Sequence, residues 1–177
     1  MEKIRRRKII RRVIVGSSLM PNIDIVIATT CHLTDKFKRC RDSVEATIPE
    51  GVKVHIALDR RKRGKAESLN AIMVGQPGDF IYLHDDMECC EKGWYKKFAA
   101  AASDPSVGML RPSIHCGGSH GHPGLGGYFF RKAAVEKVGI LNLDVRNWEA
   151  EYLQRIQDAG FKIGWVPALF NHKMGAK

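Results

Sequence analysis

The sequence predicts an α/β protein, a mostly parallel sheet flanked by helices and folded as a single compact domain. Two observations carry that expectation, and a third sets where the domain begins. Short β-branched runs alternate with helix-period segments along the chain, the pattern that yields parallel strands joined by right-handed crossovers. A length of 177 residues with 44% hydrophobic content suits one domain with its own core. Charge is concentrated at one end: residues 1–12 hold seven Lys/Arg and one acid, +6 of a formal net charge of +10. The expected division is therefore a basic N-terminal arm over residues 1–20 and a folded domain over residues 21–177.

The elements follow in order. Ile23-Asp24-Ile25-Val26-Ile27-Ala28-Thr29-Thr30 is short and β-branched and reads as a buried strand. Asp35 to Ala46 sets Phe37, Cys40 and Val44 on one helical face. After the turn signal Pro49-Glu50-Gly51, the apolar set Val52, Val54, Ile56 and Leu58 alternates along a second strand that ends at Asp59. A helix over Ala66–Val74 buries Leu69 and Met73. Asp79 to Leu83 forms a third strand, which delivers His84-Asp85-Asp86. Gly93-Trp94 opens a helix carrying Trp94, Phe98 and Ala101, and Val107–Leu110 is a fourth strand. Pro112 to Gly127 reads as a long Gly- and His-rich loop, a length usually reserved for function or motion. Tyr128–Phe130, a helix over Lys132–Val138, a helix over Glu149–Ala159 stopped by Gly160, and a strand over Lys162–Val166 complete the chain.

Composition narrows the setting. No apolar run approaches the ~20 residues that cross a bilayer, and the basic start has neither an apolar h-region nor a cleavage site, so a cytoplasmic protein is expected. Cys31, Cys40, Cys89, Cys90 and Cys116 are odd in number, and no pair has zinc-knuckle spacing; reduced structural thiols are expected. The basic arm suits a polyanion or an anionic membrane surface, or equally a solvated terminus.

Ligands of open α/β sheets bind beyond the carboxyl ends of the strands. That rule selects Thr29-Thr30, Asp59 and His84-Asp85-Asp86. The Asp85-Asp86 pair suits a hard divalent cation that brings phosphates with it, and suits equally an acidic turn at a helix start. Asp59, followed by Arg60-Arg61-Lys62-Arg63-Gly64-Lys65, has the form of an acid that holds a ribose or a base beside cations that meet phosphate. A turn aspartate with a solvated loop has the same form. Glu149 and Glu151 begin a helix two residues apart, so they do not share a face, and Glu151 precedes Arg155 by the four residues of an ordinary helix ion pair. The run from His115 to Pro123 fits no compact zinc finger.

In this order, the features resemble the nucleotide-sugar-dependent glycosyltransferases of the A-type (GT-A) fold, above all family 2. The first strand with its small polar end, Asp59, the segment Gly64-Lys65-Ala66-Glu67-Ser68-Leu69-Asn70, and Leu83-His84-Asp85-Asp86-Met87 in place of the Asp-x-Asp metal motif carry the likeness. Gly126 to Lys132, Val138 to Asn142, Glu149 to Arg155, Gly160 to Pro167 and the late His172 continue it. The resemblance spans about residues 23–174 and implies a Rossmann-like nucleotide-diphospho-sugar transferase fold with the catalytic domain at residues 21–177. It implies donor contacts from Thr29, Thr30, Asp59, Lys65, Asn70 and Asp85. It also implies Mn²⁺ or Mg²⁺ on Asp86 and His172, with His84, which occupies the first acidic position, as a further candidate ligand.

The implied reaction is inverting transfer of a sugar from a nucleotide-sugar donor, UDP-linked by family habit, to an acceptor hydroxyl. Glu149 is the expected catalytic base and Glu151 the alternative, because Glu151 has Arg155 to pair with. The Gly-rich loop is expected to close over the donor. The competing expectation is a nucleic-acid-binding α/β protein that uses its basic arm. A nucleotidyltransferase ranks last, since Thr29-Thr30-Cys31-His32 is no Gly-rich phosphate loop.

Overall fold

The structure is a computed structural model that describes residue 21, residues 23–116 and residues 126–172. The basic arm and residues 117–125, which hold most of the Gly- and His-rich stretch, lie outside them. Twelve elements run in the order β1 (Asp24–Thr29), α1 (Asp35–Glu45), β2 (Val54–Leu58), α2 (Lys65–Gly75), β3 (Phe80–His84), β4 (Met87–Cys89), α3 (Trp94–Ala102), β5 (Val107–Cys116), β6 (Tyr128–Phe130), α4 (Lys132–Val138), α5 (Trp148–Asp158) and β7 (Lys162–His172). The strands form one sheet in the order β2-β1-β3-β6-β5-β7-β4. β1 is parallel to β2 and β3, and β5 is parallel to β7, while β6 and β4 run against their neighbours. The sheet is thus mostly parallel but mixed.

Strand periodicity divides the core between the two faces. Ile25, Ile27, Ile81 and Leu83 point to one side, where they meet Phe37, Cys40 and Val44 of α1 and Trp94 and Phe98 of α3. Val26, Phe80, Tyr82 and Met109 point to the other, against Leu69 and Met73 of α2, Val135 of α4, and Tyr152 and Ile156 of α5. Each large side chain buried in this way stabilises the fold by roughly 1.5–3 kcal/mol. Two helices start on side-chain caps: Thr34 accepts from the Phe37 amide ahead of α1, and Asn147 accepts from the Ala150 amide ahead of α5.

Four local expectations change. Ile56 is 42% exposed, because β2 is an edge strand and its alternation has only partial cover. β5 continues through Pro112 to Cys116, so the expected loop is shorter than Pro112–Gly127. A register shift between Pro112 and Ile114 interrupts the ladder, and a sheet tolerates the missing proline donor at such a bulge. β7 likewise runs past Val166 to His172, held by β5 and then by β4. β4 itself is a three-residue strand with no periodicity to read; it exists because the end of β7 pairs with it.

Candidate active site

The carboxyl ends of β1, β2 and β3 open into one cleft of about 250 Å³ lined by Thr29, Thr30, Asp59, Lys62, Gly64, Lys65, Ser68, Tyr82, His84 and Asp85 among others. Five residues selected from the sequence as donor contacts (Thr29, Thr30, Asp59, Lys65 and Asp85) therefore come together, from three strand ends and the start of α2. Asp59 sits just beyond β2, tied to β1 by its amide, which donates to the Thr29 carbonyl at 2.9 Å. Its carboxylate organises the basic loop: Oδ2 accepts from Ser68 Oγ at 3.0 Å and from the Gly64 amide at 3.3 Å, and Oδ1 accepts from Arg63 Nε at 3.5 Å. Burial pushes this carboxyl up, but the bonds from Ser68, Arg63 and Gly64 outweigh it and hold the group below its ordinary value. Gly64 closes the loop at φ 102°, a conformation open to glycine, and leads into α2 with no side chain over the first turn.

On the other wall, Thr29 Oγ1 donates to Asp85 Oδ2 at 2.6 Å and accepts from the Cys31 amide at 3.1 Å. The Thr29 hydroxyl thus positions Asp85 rather than facing a ligand directly. The buried Cys40 thiol donates to the His84 carbonyl at 3.3 Å, pinning the end of β3 to α1. Burial first, and then the charges of Asp85 and Asp86, push that thiol up to about 12, so it is a structural proton donor and no nucleophile. His84 Nε2 lies 3.4 Å from Tyr82 OH, with the two rings edge to face.

Three strands along the sheet from β1, a second cluster surrounds Glu149. Its Oε1 accepts from Tyr128 OH at 2.9 Å and from Arg111 Nη2 at 3.1 Å, and Arg111 Nη2 also lies within donating distance of Tyr128 OH, 3.0 Å. No bond to Oε2 occurs among the described residues. Burial, followed by the Glu149 charge, keeps the Tyr128 phenol protonated well above its ordinary value despite the opposing Arg111. Tyr128 stands opposite Tyr82 in the ladder between β6 and β3, so the cluster adjoins the wall of the cleft. The Arg111 guanidinium lies over Tyr128 at 5.2 Å and over Trp165 at 4.9 Å.

No family model matches the chain, and no curated protein matches it in sequence. Solved structures do match in shape. A mannosyltransferase, PcManGT from Pyrobaculum calidifontis in complex with GDP-Man and Mn²⁺, superposes with a TM-score of 0.70 at 12% identity, over 90% of this chain and 59% of that one. GalNAc-T7 with UDP, GalNAc and Mn²⁺ gives 0.67 at 14% identity, over 88% of this chain and 44% of that one. The chain has the GT-A fold. A glycosyltransferase involved in glycosylation of the major capsid of PBCV-1 gives 0.59 at 15% identity, over 89% of this chain and 95% of that one. The chain thus spans about half the length of two of these GT-A structures and nearly all of the third.

Within the GT-A frame, not every selected residue reaches the cleft. Asn70 stands apart from the cleft lining: its Nδ2 donates to the Leu141 carbonyl at 3.0 Å and its Oδ1 accepts from the Leu141 amide at 2.8 Å. It clamps the segment that leads into α5. Glu151 holds Arg155 through both carboxylate oxygens, at 2.6 and 3.0 Å, and Arg155 in turn donates to the carbonyls of Val138 and Ile140. Asp86 is half-buried at the turn between β3 and β4, and the pairing of β4 with β7 sets the His172 backbone opposite Met87. Among the described residues, no three His, Cys, Asp or Glu side chains form a metal-holding group. The adjacent carboxylates of Asp85 and Asp86 are nevertheless the oxygen donors a hard divalent cation takes. Among the described residues, no helix is long and apolar enough to cross a membrane.

Sequence reasoning missed Ser68, Tyr82, Arg111, Tyr128 and Trp165. Arg111 did leave a signal, a cation directly after the apolar run Val107–Leu110, where burial demands a partner. Tyr82 and Tyr128 read simply as apolar strand residues, and their shared position opposite one another is tertiary.

Proposed function

We propose that the chain is a glycosyltransferase that moves a sugar from a nucleotide-sugar donor to an acceptor hydroxyl with inversion. The observation that carries this reading is the meeting of Asp59, Lys65, Thr30 and Asp85 in one cleft of a GT-A fold, beside a glutamate presented by a Tyr–Arg pair. The Asp59 carboxylate, which lines the cleft, suits the base or ribose of the donor. Lys62 and Lys65, exposed at the cleft, suit its diphosphate. Asp85 and Asp86, with His172 as the resemblance implies, would hold Mn²⁺ or Mg²⁺, which supplies charge neutralisation for the diphosphate leaving group.

Glu149 is the base. Tyr128 and Arg111 occupy Oε1 and fix the carboxylate, which leaves Oε2 to receive the proton of the acceptor hydroxyl. The acceptor oxygen then bonds to the anomeric carbon as the bond from that carbon to phosphate breaks, and the electron pair leaves with the diphosphate. Alignment of both substrates about one carboxylate supplies much of the acceleration.

The test is thermal-shift titration with UDP and with GDP, each with and without Mn²⁺. A ligand at 100 times its Kd adds about 2.7 kcal/mol. Stabilisation by one diphosphate, lost in chelator and in Asp86→Ala, supports the reading. No stabilisation by either nucleotide under any condition refutes it.

A further inference from the structure

Resting on the glycosyl-transfer reading, we propose that Trp165 is the floor of an acceptor subsite that takes a pyranose ring, so that the acceptor is itself a carbohydrate. Trp165 is 57% exposed although tryptophan is among the most costly side chains to leave in water. It lies on β7 beside Arg111 of β5, and the parity of Ile163 and Met109 assigns both side chains to the sheet face that carries Tyr82, Tyr128 and α5. Arg111 lies over the indole at 4.9 Å, which holds the ring in place. The same guanidinium donates to Glu149 at 3.1 Å. Aromatic surface, cation and base therefore form one chain of contacts.

Sheet order decides which substrate this surface serves. The donor cleft lies over β2, β1 and β3; Tyr128, which holds Glu149, is on β6; Trp165 is on β7. Strands are spaced about 4.8 Å apart, so Trp165 stands about 14 Å from β3, on the far side of the base. An inverting displacement brings the acceptor to the anomeric carbon opposite the leaving group, and the far side of the base is where such an acceptor arrives. The ring chemistry fits as well. One face of a pyranose presents a patch of C–H bonds that stacks on the indole face Arg111 leaves open, and the next sugar of the acceptor then extends past the ring edge toward Glu149. A nucleobase would also stack on indole. The sugar is favoured because the neighbouring groups include a carboxylate, which repels a phosphate backbone.

The experiment is saturation-transfer NMR on the full chain, without donor, using neutral disaccharides (maltose, cellobiose and lactose) as probes. The expected result is transfer to the ring C–H protons of at least one disaccharide. Trp165→Ala should weaken binding roughly tenfold or more, and Trp165→Phe, which keeps an aromatic face, should retain most of it. Thermal unfolding of both variants checks that the fold is intact. Absence of transfer from the wild-type protein to all three sugars overturns the proposal, and so does undiminished transfer from Trp165→Ala. Transfer to the base protons of a single-stranded oligonucleotide, with none to the sugars, overturns it in favour of nucleic acid. Nucleoside diphosphate binding is measured on the same samples: its failure counts against the glycosyl-transfer reading, whereas sugar binding reports on Trp165 alone.

Discussion

Asn70→Ala separates two roles for one side chain. The resemblance assigns Asn70 to the donor, whereas its amide bonds twice to the Leu141 backbone, at 3.0 and 2.8 Å. Leu141 is buried, so removing the clamp strips partners from a carbonyl and an amide that water does not readily reach. Two net hydrogen bonds at about 1 kcal/mol each set the loss at about 2 kcal/mol. For a domain of this size, that corresponds to a fall in Tm of roughly 4–8 °C. The segment that Leu141 anchors leads through Asn147 into Trp148 and Glu149, so kcat should fall with stability while the Kd for nucleoside diphosphate stays near the wild-type value. Thermal unfolding and nucleotide titration on the same protein make the measurement. An unchanged Tm with abolished nucleotide binding would refute this reasoning and return Asn70 to the donor site.

Further outcomes follow from the same contacts. Glu149→Gln keeps an oxygen for Tyr128 and Arg111 but removes the base, so transfer should vanish while nucleotide and metal binding persist; near-normal turnover would move the base to Glu151. Glu151→Gln should cost no more than about 1 kcal/mol, read by chemical denaturation, because the ion pair is only half-buried. The Asp59 carboxyl lies below its ordinary value in the fold. Its contribution is therefore complete above the unfolded pKa and is lost as pH falls through the lower folded pKa. Asp59→Asn should accordingly flatten the decline of Tm as pH falls below the ordinary carboxylate range, and an unaltered acid profile would contradict that. Deletion of residues 1–20, which carry the +6 cluster, should leave nucleotide binding intact and abolish any salt-sensitive polyanion binding. Loss of nucleotide binding in a folded truncation would place the arm in the site.

Local chemistry by itself determined much of this protein. Element type followed from period, because helices and strands bury apolar residues at different spacings: Phe37, Cys40 and Val44 are the buried face of α1, and Leu69 and Met73 are buried on α2. The position of the cleft followed from strand ends, which is why Thr29, Thr30, Asp59, His84 and Asp85 were legible as its lining, although Asp86, selected by the same rule, is not part of it. The four-residue spacing of Glu151 and Arg155 foretold their pairing.

Contacts between distant segments were decided by tertiary structure alone. β4 is a strand because the end of β7 lies beside it, and β5 passes through Pro112 because β7 runs parallel to it; neither fact has a local signature. Asn70 bonds to Leu141 across 71 residues, and Arg111 reaches Glu149 across 38. A side chain's neighbours along the chain restrict its conformation but not its remote partner. The sequence could therefore say that Glu149 begins a helix and Trp165 belongs to a strand. Only the packed sheet could bring both to the same arginine, since that contact depends on the order in which β5, β6 and β7 lie side by side.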